Sequence, residues 1–288
     1  MQTALDCYPC FFRQALQAAR EVTDDPAVHQ AVMRTVSEMC THLDADRSPP
    51  AVGQQIHRAI RDITGQADPY RKIKQRFNDH AVALREQLRQ RVESAEDPFD
   101  AAIRLSIAGN RIDFGARSDV SEQEISDLTD QAAHQVFNGE LHALKAAVER
   151  SERLLFLADN AGEIALDMLL IEQLPTERVT VAVRGGPVIN DATMADAQAV
   201  GLNDMVRVID NGSDAPGTLL DDCSPAFRDA FDQADLILAK GQGNYESLSD
   251  LEDDRLYFLL IPKCALVAGH LGCGEGQFVV RPCKETTP

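Results

Sequence analysis

Positive charge is scarce in this chain: 28 basic residues face 46 acidic ones, a net charge of -18 with a pI near 4.7. Nucleic acid and anionic lipid surfaces both require a positive face, so the balance excludes them as electrostatic partners. An anionic ligand would need a local positive site. Lysine is the scarcer cation, 6 against 22 Arg, and the acidic residues are spread along the whole chain. That distribution matches proteins of salt-loving microbes, whose surface carboxylates hold water in concentrated salt. An ordinary acidic cytosolic protein is the alternative. Also missing is any run of roughly 18 apolar residues, the length that a membrane span needs. The opening "MQTALDCYPCFF" lacks the charged stretch, apolar core and cleavage site of a leader, so the expected location is cytoplasmic. Seven cysteines, an odd number, argue for reduced thiols or metal ligands over a disulfide framework.

What is present divides into two patterns. Up to about residue 150 the apolar period is helical, as in Val28, Val32, Val36 and Met39, then Val52, Ile56, Ile60 and Ile63. "TDDP", "DRSPP" and "AEDPFD" punctuate it with residues that end one helix and cap the next. After about residue 150, short apolar runs alternate with helix-length segments: "RLLFLAD", "RVTVAVRGG", "MVRVIDNG", "DLILAKGQG" and "RLYFLLIP". Continuous Val, Leu and Ile runs read as strands buried on both faces, hence a mainly parallel sheet between helical layers. The expectation is an α/β chain: an all-helical N-terminal domain, 1–150, packed on a three-layer α/β/α domain, 151–288.

In such sheets ligands bind beyond the carboxyl ends of the strands. The runs end in Asp159, Asn160, Gly162 and Glu163; in Arg184, Gly185 and Gly186 with Asn190 and Asp191; in Asp210, Asn211, Gly212 and Ser213; and in Lys240, Gly241, Gln242, Gly243 and Asn244. Asp159, Asn160 and Asp191 supply hard oxygen donors suited to Mg²⁺, Mn²⁺ or a similar ion. Asp and Asn equally serve as helix caps, and the two roles are compatible. Lys240 fits a point charge on a phosphate, or simply ends a strand in solvent. Asn190, Asn211, Gly212, Ser213 and Asn244 are candidate substrate contacts on the same rim. Glu163 is either a base beside the ion or a first-turn acid favoured by the helix dipole. Arg184 is a phosphate clamp or a surface ion pair.

Together with "AGNRIDFG" and "ADPYRKIKQRFN", the motifs "ADNAGE", "GGPVINDAT", "NGSDAPGT" and "KGQGNYESL" resemble the metal-dependent damage-control phosphatases, long catalogued as a domain of unknown function. The resemblance runs from "CYPC" almost to the end and is nearest to the branch with an N-terminal Cys-x-x-Cys. It implies an α/β/α sheet with a helical companion. The implied activity is hydrolysis of phosphate esters of small metabolites, such as sugar phosphates or phosphorylated cofactor intermediates, with Mn²⁺, Co²⁺, Ni²⁺ or Mg²⁺. Carried over, Asp159, Asn160 and Asp191 are metal ligands and Lys240 contacts the phosphate. Asn211 to Asp214 lie on a further substrate loop, while Asn110 and Asp113 face the site from the helical side. Glu163 and Asp113 are the candidate bases. Neither follows a strand in the Asp-x-Asp form of aspartyl-phosphate enzymes, which favours direct attack by water.

Cys7 and Cys10 have the spacing of half a structural Zn²⁺ site that Cys264, His270 and Cys273 could complete only if the chain ends meet. A redox pair, or two small apolar residues of a first helix, are the other readings of "CYPC". Two competing functions remain. A dinucleotide oxidoreductase would share the architecture, but no Gly-x-Gly-x-x-Gly follows the first strand. A non-catalytic metabolite- or metal-binding protein on the same scaffold is the other. Oligomeric state and substrate stay open.

Overall fold

The computed structural model describes residues 1–111, 127, 129, 130, 132, 133, 135–139 and 141–284. Five helices come first: α1 (Cys7–Val22), α2 (Pro26–Thr41), α3 (Pro49–Thr64), α4 (Arg71–Glu93) and α5 (Pro98–Ala108). Three of them begin at a proline, which suits a first-turn position because its missing N–H would have no intrahelical partner there. Asp25 caps α2 through the Ala27 N–H, and Asp97 caps α5 through Phe99 and Asp100. The acidic-proline junctions of the sequence are thus helix starts.

Among the described residues seven strands form one sheet: β1 (Phe137–Gly139), β2 (Leu154–Leu157), β3 (Val179–Val183), β4 (Arg207–Asp210), β5 (Leu236–Lys240), β6 (Leu256–Leu260) and β7 (Phe278–Pro282). Their order is β1-β7-β6-β5-β2-β3-β4. Every neighbouring pair is parallel except β6 with β7. The fold is α/β, as expected, with an N-terminal helical region and a mostly parallel sheet between helices. All four residues of β2 are buried, which is why its run shows no polar alternation.

Side-chain alternation sorts the strands onto two cores. Leu154, Phe156, Leu236 and Leu238 face a layer that includes α4, α5 and the helix Glu163–Ile171. Leu155, Leu157, Ile237 and Ala239 face the helices Pro225–Gln233, Gly241–Leu248 and Ala265–Leu271. Helices α1 to α3 build a third core from Phe11, Ala15, Val32, Val36, Ile56 and Ile60. One core therefore runs from α4 and α5 through residue 150 into the sheet. Among the described residues no helix is long and apolar enough to cross a membrane.

His57 of α3 is 3% exposed, and its Nε2 has no hydrogen-bond partner. Burial first, and the Arg61 charge second, lower its pKa from 6.5 to about 4. The unfolded chain takes this proton near pH 6.5 and the native protein only near 4. Between those values acidification therefore favours unfolding, by up to about 3 kcal/mol. Buried carboxylates titrate in the same window, so the expected result is a difference: His57→Leu should lose this share of the acid sensitivity. Urea unfolding of both proteins at pH 7.5 and 4.5 measures it, and equal pH dependence would refute it.

Candidate active site

Strand β2 lies between β3 and β5. The chain moves outward through β3 and β4, then returns to the other flank of β2 for β5, so the strand order reverses there. A crevice opens beyond the carboxyl ends at such a reversal. Leu157 is in register with Ala182 of β3 and with Ala239 of β5, which brings the segments after all three strands to one rim. Gly241 follows β5 with φ +79°, and a Cβ there would lie 1.9 Å from Asp159 Oδ2. Only glycine lets the chain pass the carboxylate this closely.

Asp159 and Asp191 are neighbours. Asn160 and Asp191 form an antiparallel bridge, the Ala192 N–H donates to Asp159 O at 2.8 Å, and the Ala161 N–H donates to Asn190 O at 2.8 Å. Two residues of α4 hold this pair of loops from behind. Asn78 Oδ1 accepts from the Gly162 N–H at 2.8 Å, and Asn78 Nδ2 donates to Asp196 at 2.9 Å. Lys74 Nζ reaches the same Asp196 carboxylate at 2.9 Å. Above the loops opens a cavity of about 540 Å³, lined in part by Asp159, Asn160, Asn190 and Asp191.

On the helical side of this floor, Asn110 Nδ2 donates to Asp159 Oδ2 at 2.9 Å and to Glu163 Oε2 at 2.7 Å. Asn160 Nδ2 donates to the same two oxygens at 2.7 and 2.8 Å. Two amides thus bridge two buried carboxylates. Glu163 Oε1 accepts from Lys240 Nζ at 2.7 Å; Lys240 also donates to Asp167 and, at 2.9 Å, to Ser106 O. Burial, then the charges of Glu163 and Asp191, raise Asp159 to about 7. Burial raises Asp167 to about 6 against the pull of Lys240. Lys240 itself is raised: burial lowers it, but Asp167 and Glu163 outweigh that.

These residues fit a divalent cation. The donors are hard carboxylate and carboxamide oxygens, and a cation would relieve the carboxylate crowding that raises Asp159. Buried beside them, Asn110 Oδ1 has no hydrogen-bond partner. Among the described residues no three His, Cys, Asp or Glu side chains are placed to hold a metal. An ion on Asp159, Asp191 and Asn160 would therefore keep further positions for water and substrate oxygens.

The other rim residues are disposed differently. Lys240 is 1% exposed and does not line the cavity. Strand alternation puts it on the face of Leu236 and Leu238, toward α5 and the Glu163 helix, and its three N–H donors are all engaged. Arg184 is not on the surface. At 2% exposure it donates to Asp191 Oδ2 at 2.7 Å and to Asn244 Oδ1 at 3.1 Å, and its Nη2 lies 3.8 Å from Asp159. Asn244 is fully buried as a brace, accepting from Thr218 and donating to Lys240 O. Asn211 Oδ1 accepts from the Gly185 and Ser213 N–H groups, folding the Asn211–Gly212–Ser213 turn. Asp214 binds Arg58, Arg61 and Gln54 of α3, tying that loop to the helical region. Asp113 lies outside the described residues.

Cys7, Cys10 and Cys264 all line the cavity, so the two ends of the chain do meet. His270 instead shares a 2.5 Å hydrogen bond with Tyr245, and Cys273 is not on the cavity wall. Burial raises the Cys7 thiol, the opposite of an activated thiolate. Lys263 escaped the sequence reading. It follows β6 and lines the cavity, and the signal was available, since "RLYFLLIPK" is a strand run ending in a lysine.

Residues 3–279 match the damage-control phosphatase ARMT1-like domain. The chain belongs to that family. It is 32% identical over 281 residues to a damage-control phosphatase of Archaeoglobus fulgidus, covering 96% of this chain and 97% of that one. Against damage-control phosphatase PH1575 of Pyrococcus horikoshii it is 30% identical over 286 residues, 97% of each chain. An uncharacterised protein of Methanocaldococcus jannaschii is 32% identical over 285 residues, 96% of this chain and 93% of that one. The crystal structure of the Pyrococcus family member superposes with a TM-score of 0.91 at 29% identity, over 99% of this chain and 100% of that one. Family membership makes a phosphorylated small molecule the expected class of substrate.

Proposed function

We propose that the cavity hydrolyses phosphate monoesters of small metabolites, such as sugar phosphates or phosphorylated cofactor intermediates, with a divalent ion held by Asp159, Asn160 and Asp191. One observation carries the reading: two carboxylates and an amide from neighbouring loops meet on the floor of a cavity large enough for a small metabolite. When bound, Mn²⁺, Co²⁺, Ni²⁺ or Mg²⁺ supplies Lewis-acid stabilisation of the charge that builds on the phosphoryl oxygens.

The chain's own groups do the positioning. Lys240 anchors Glu163 Oε1, which leaves Oε2 directed at the Asn110 and Asn160 amides beside Asp159. Glu163 is fully buried and does not line the cavity, so in this scheme it is a positioning residue that holds Asn160 and Asn110 against Asp159. Arg184 holds one oxygen of Asp191 and leaves the other for the ion. Lys240 acts through Glu163 and does not touch the phosphate.

Hydrolysis of p-nitrophenyl phosphate in dilute and in molar salt tests the proposal, each with and without added divalent ion and after treatment with a chelator. Turnover should require the ion, disappear with the chelator and return when excess ion is added. Activity that resists chelation, or phosphate binding with no turnover in any metal, would sink it.

A further inference from the structure

The carboxylates that would hold the ion repel one another before it arrives. The Asp191 charge is among the causes that raise Asp159, so the two loops gain by moving apart unless something fixes their spacing. Two backbone bonds do part of this, from the Ala192 N–H to Asp159 O and from the Ala161 N–H to Asn190 O. A second tie comes from outside the sheet, out of the helical motif "ADPYRKIKQRFN".

Lys74 and Asn78 stand four residues apart on one face of α4, and both are buried. Asn78 Oδ1 accepts at 2.8 Å from the N–H of Gly162, which lies just past Asn160. Asn78 Nδ2 donates to Asp196 Oδ1 at 2.9 Å, and Asp196 Oδ2 accepts at 2.9 Å from the N–H of Thr193, just past Asp191. One carboxamide thus spans both ligand loops, as acceptor toward the first and donor toward the second. A carboxylate in its place could not donate to Asp196, and an apolar side chain would leave the buried Gly162 N–H without its partner. Lys74 steadies the second arm, with Nζ 2.9 Å from Asp196 and 3.4 Å from Asp68. Its charge also lowers the pKa of Asp191.

We infer that Asn78, backed by Lys74, is a positioning residue that sets the spacing of Asp159 and Asp191 and with it the affinity for the ion. The inference rests on the reading of Asp159, Asn160 and Asp191 as the ion's ligands, and calorimetric titration with Mn²⁺ in the absence of any ester separates the two. Binding should weaken by about 10- to 100-fold in Asn78→Leu, which breaks both arms. It should also weaken in Asn78→Asp, which breaks the Asp196 arm alone. Added negative charge by itself would tighten binding, so weakening there reports geometry. Leu88→Ala makes a cavity on the same helix and controls for lost stability: its urea midpoint should fall and its Mn²⁺ affinity stay unchanged.

In hydrolysis assays the Mn²⁺ concentration for half activity should rise in both Asn78 variants by more than kcat at saturating Mn²⁺ falls. A merely structural role would shrink the active fraction and leave the ion requirement where it was. Unchanged Mn²⁺ affinity in either Asn78 variant that folds, or equal weakening in Leu88→Ala, would overturn the positioning role. If the unaltered protein binds no Mn²⁺, or binds it as tightly after Asp159→Asn, the ligand assignment itself fails and takes this inference with it.

Discussion

Asp159→Asn should lower metal-dependent phosphatase activity by about 10³-fold or more while making the protein more stable in chelator at pH 8. Loss of a charged ligand removes several kcal/mol of transition-state stabilisation, hence the size of the kinetic effect. The gain in stability follows from the same geometry. Asp159 is buried close to Glu163 and Asp191, and their mutual repulsion is relieved only in part by Arg184 and Lys263. An amide of nearly the same shape removes one charge from that cluster and should add about 1 kcal/mol, the trade of stability for function common at such sites. Initial rates and urea midpoints from one preparation check both halves. Retained, chelator-sensitive activity would remove Asp159 from the ion's ligands, and a less stable variant would refute the crowding argument.

Lys240→Met should destabilise the protein by about 3 to 5 kcal/mol and abolish activity. Removing one member of a buried ion cluster leaves the other charges without compensation, a larger penalty than the net worth of the pair. Here Asp167 and Glu163 lose the same partner at once. The double variant Lys240→Met, Asp167→Leu separates the two effects. It removes one orphaned carboxylate and should recover much of the stability, yet Glu163 stays unanchored and activity should remain lost. A single variant as stable as the parent would refute the first claim. Activity restored in the double variant would refute the role of Lys240 in holding Glu163.

Much of the sheet was legible because β2, β3, β5 and β6 are buried on both faces and leave continuous apolar runs, and the edge strand β4 still carries Val208 and Ile209 between polar ends. The first and last strands of the chain were not. β1 is three residues, "FNG", and β7 is a short run closed by Pro282, the only antiparallel partner in the sheet. Neither carries enough period to stand apart from a loop. Asp159, Asn160 and Asp191 could be grouped from the rule that ligands gather at strand ends, and the fold brings their loops together. The direction of Lys240 was legible in principle, since "LILAK" sets it on the face of Leu236 and Leu238. Which face meets the Glu163 helix was not, because that depends on how the crossovers wind.

The sequence alone determined the two grammars of this chain, the positions of the five strands β2 to β6, and the chemistry available at their ends. Those are local properties, governed by period, propensity and side-chain type over a few residues. Tertiary structure decided which lysine is sealed against carboxylates and which one lines the cavity, and it brought Cys7 and Cys264 to one cavity wall and Asn110 to Glu163. Such choices depend on strand order, handedness of crossovers and the packing of distant helices, and no window of neighbouring residues encodes them.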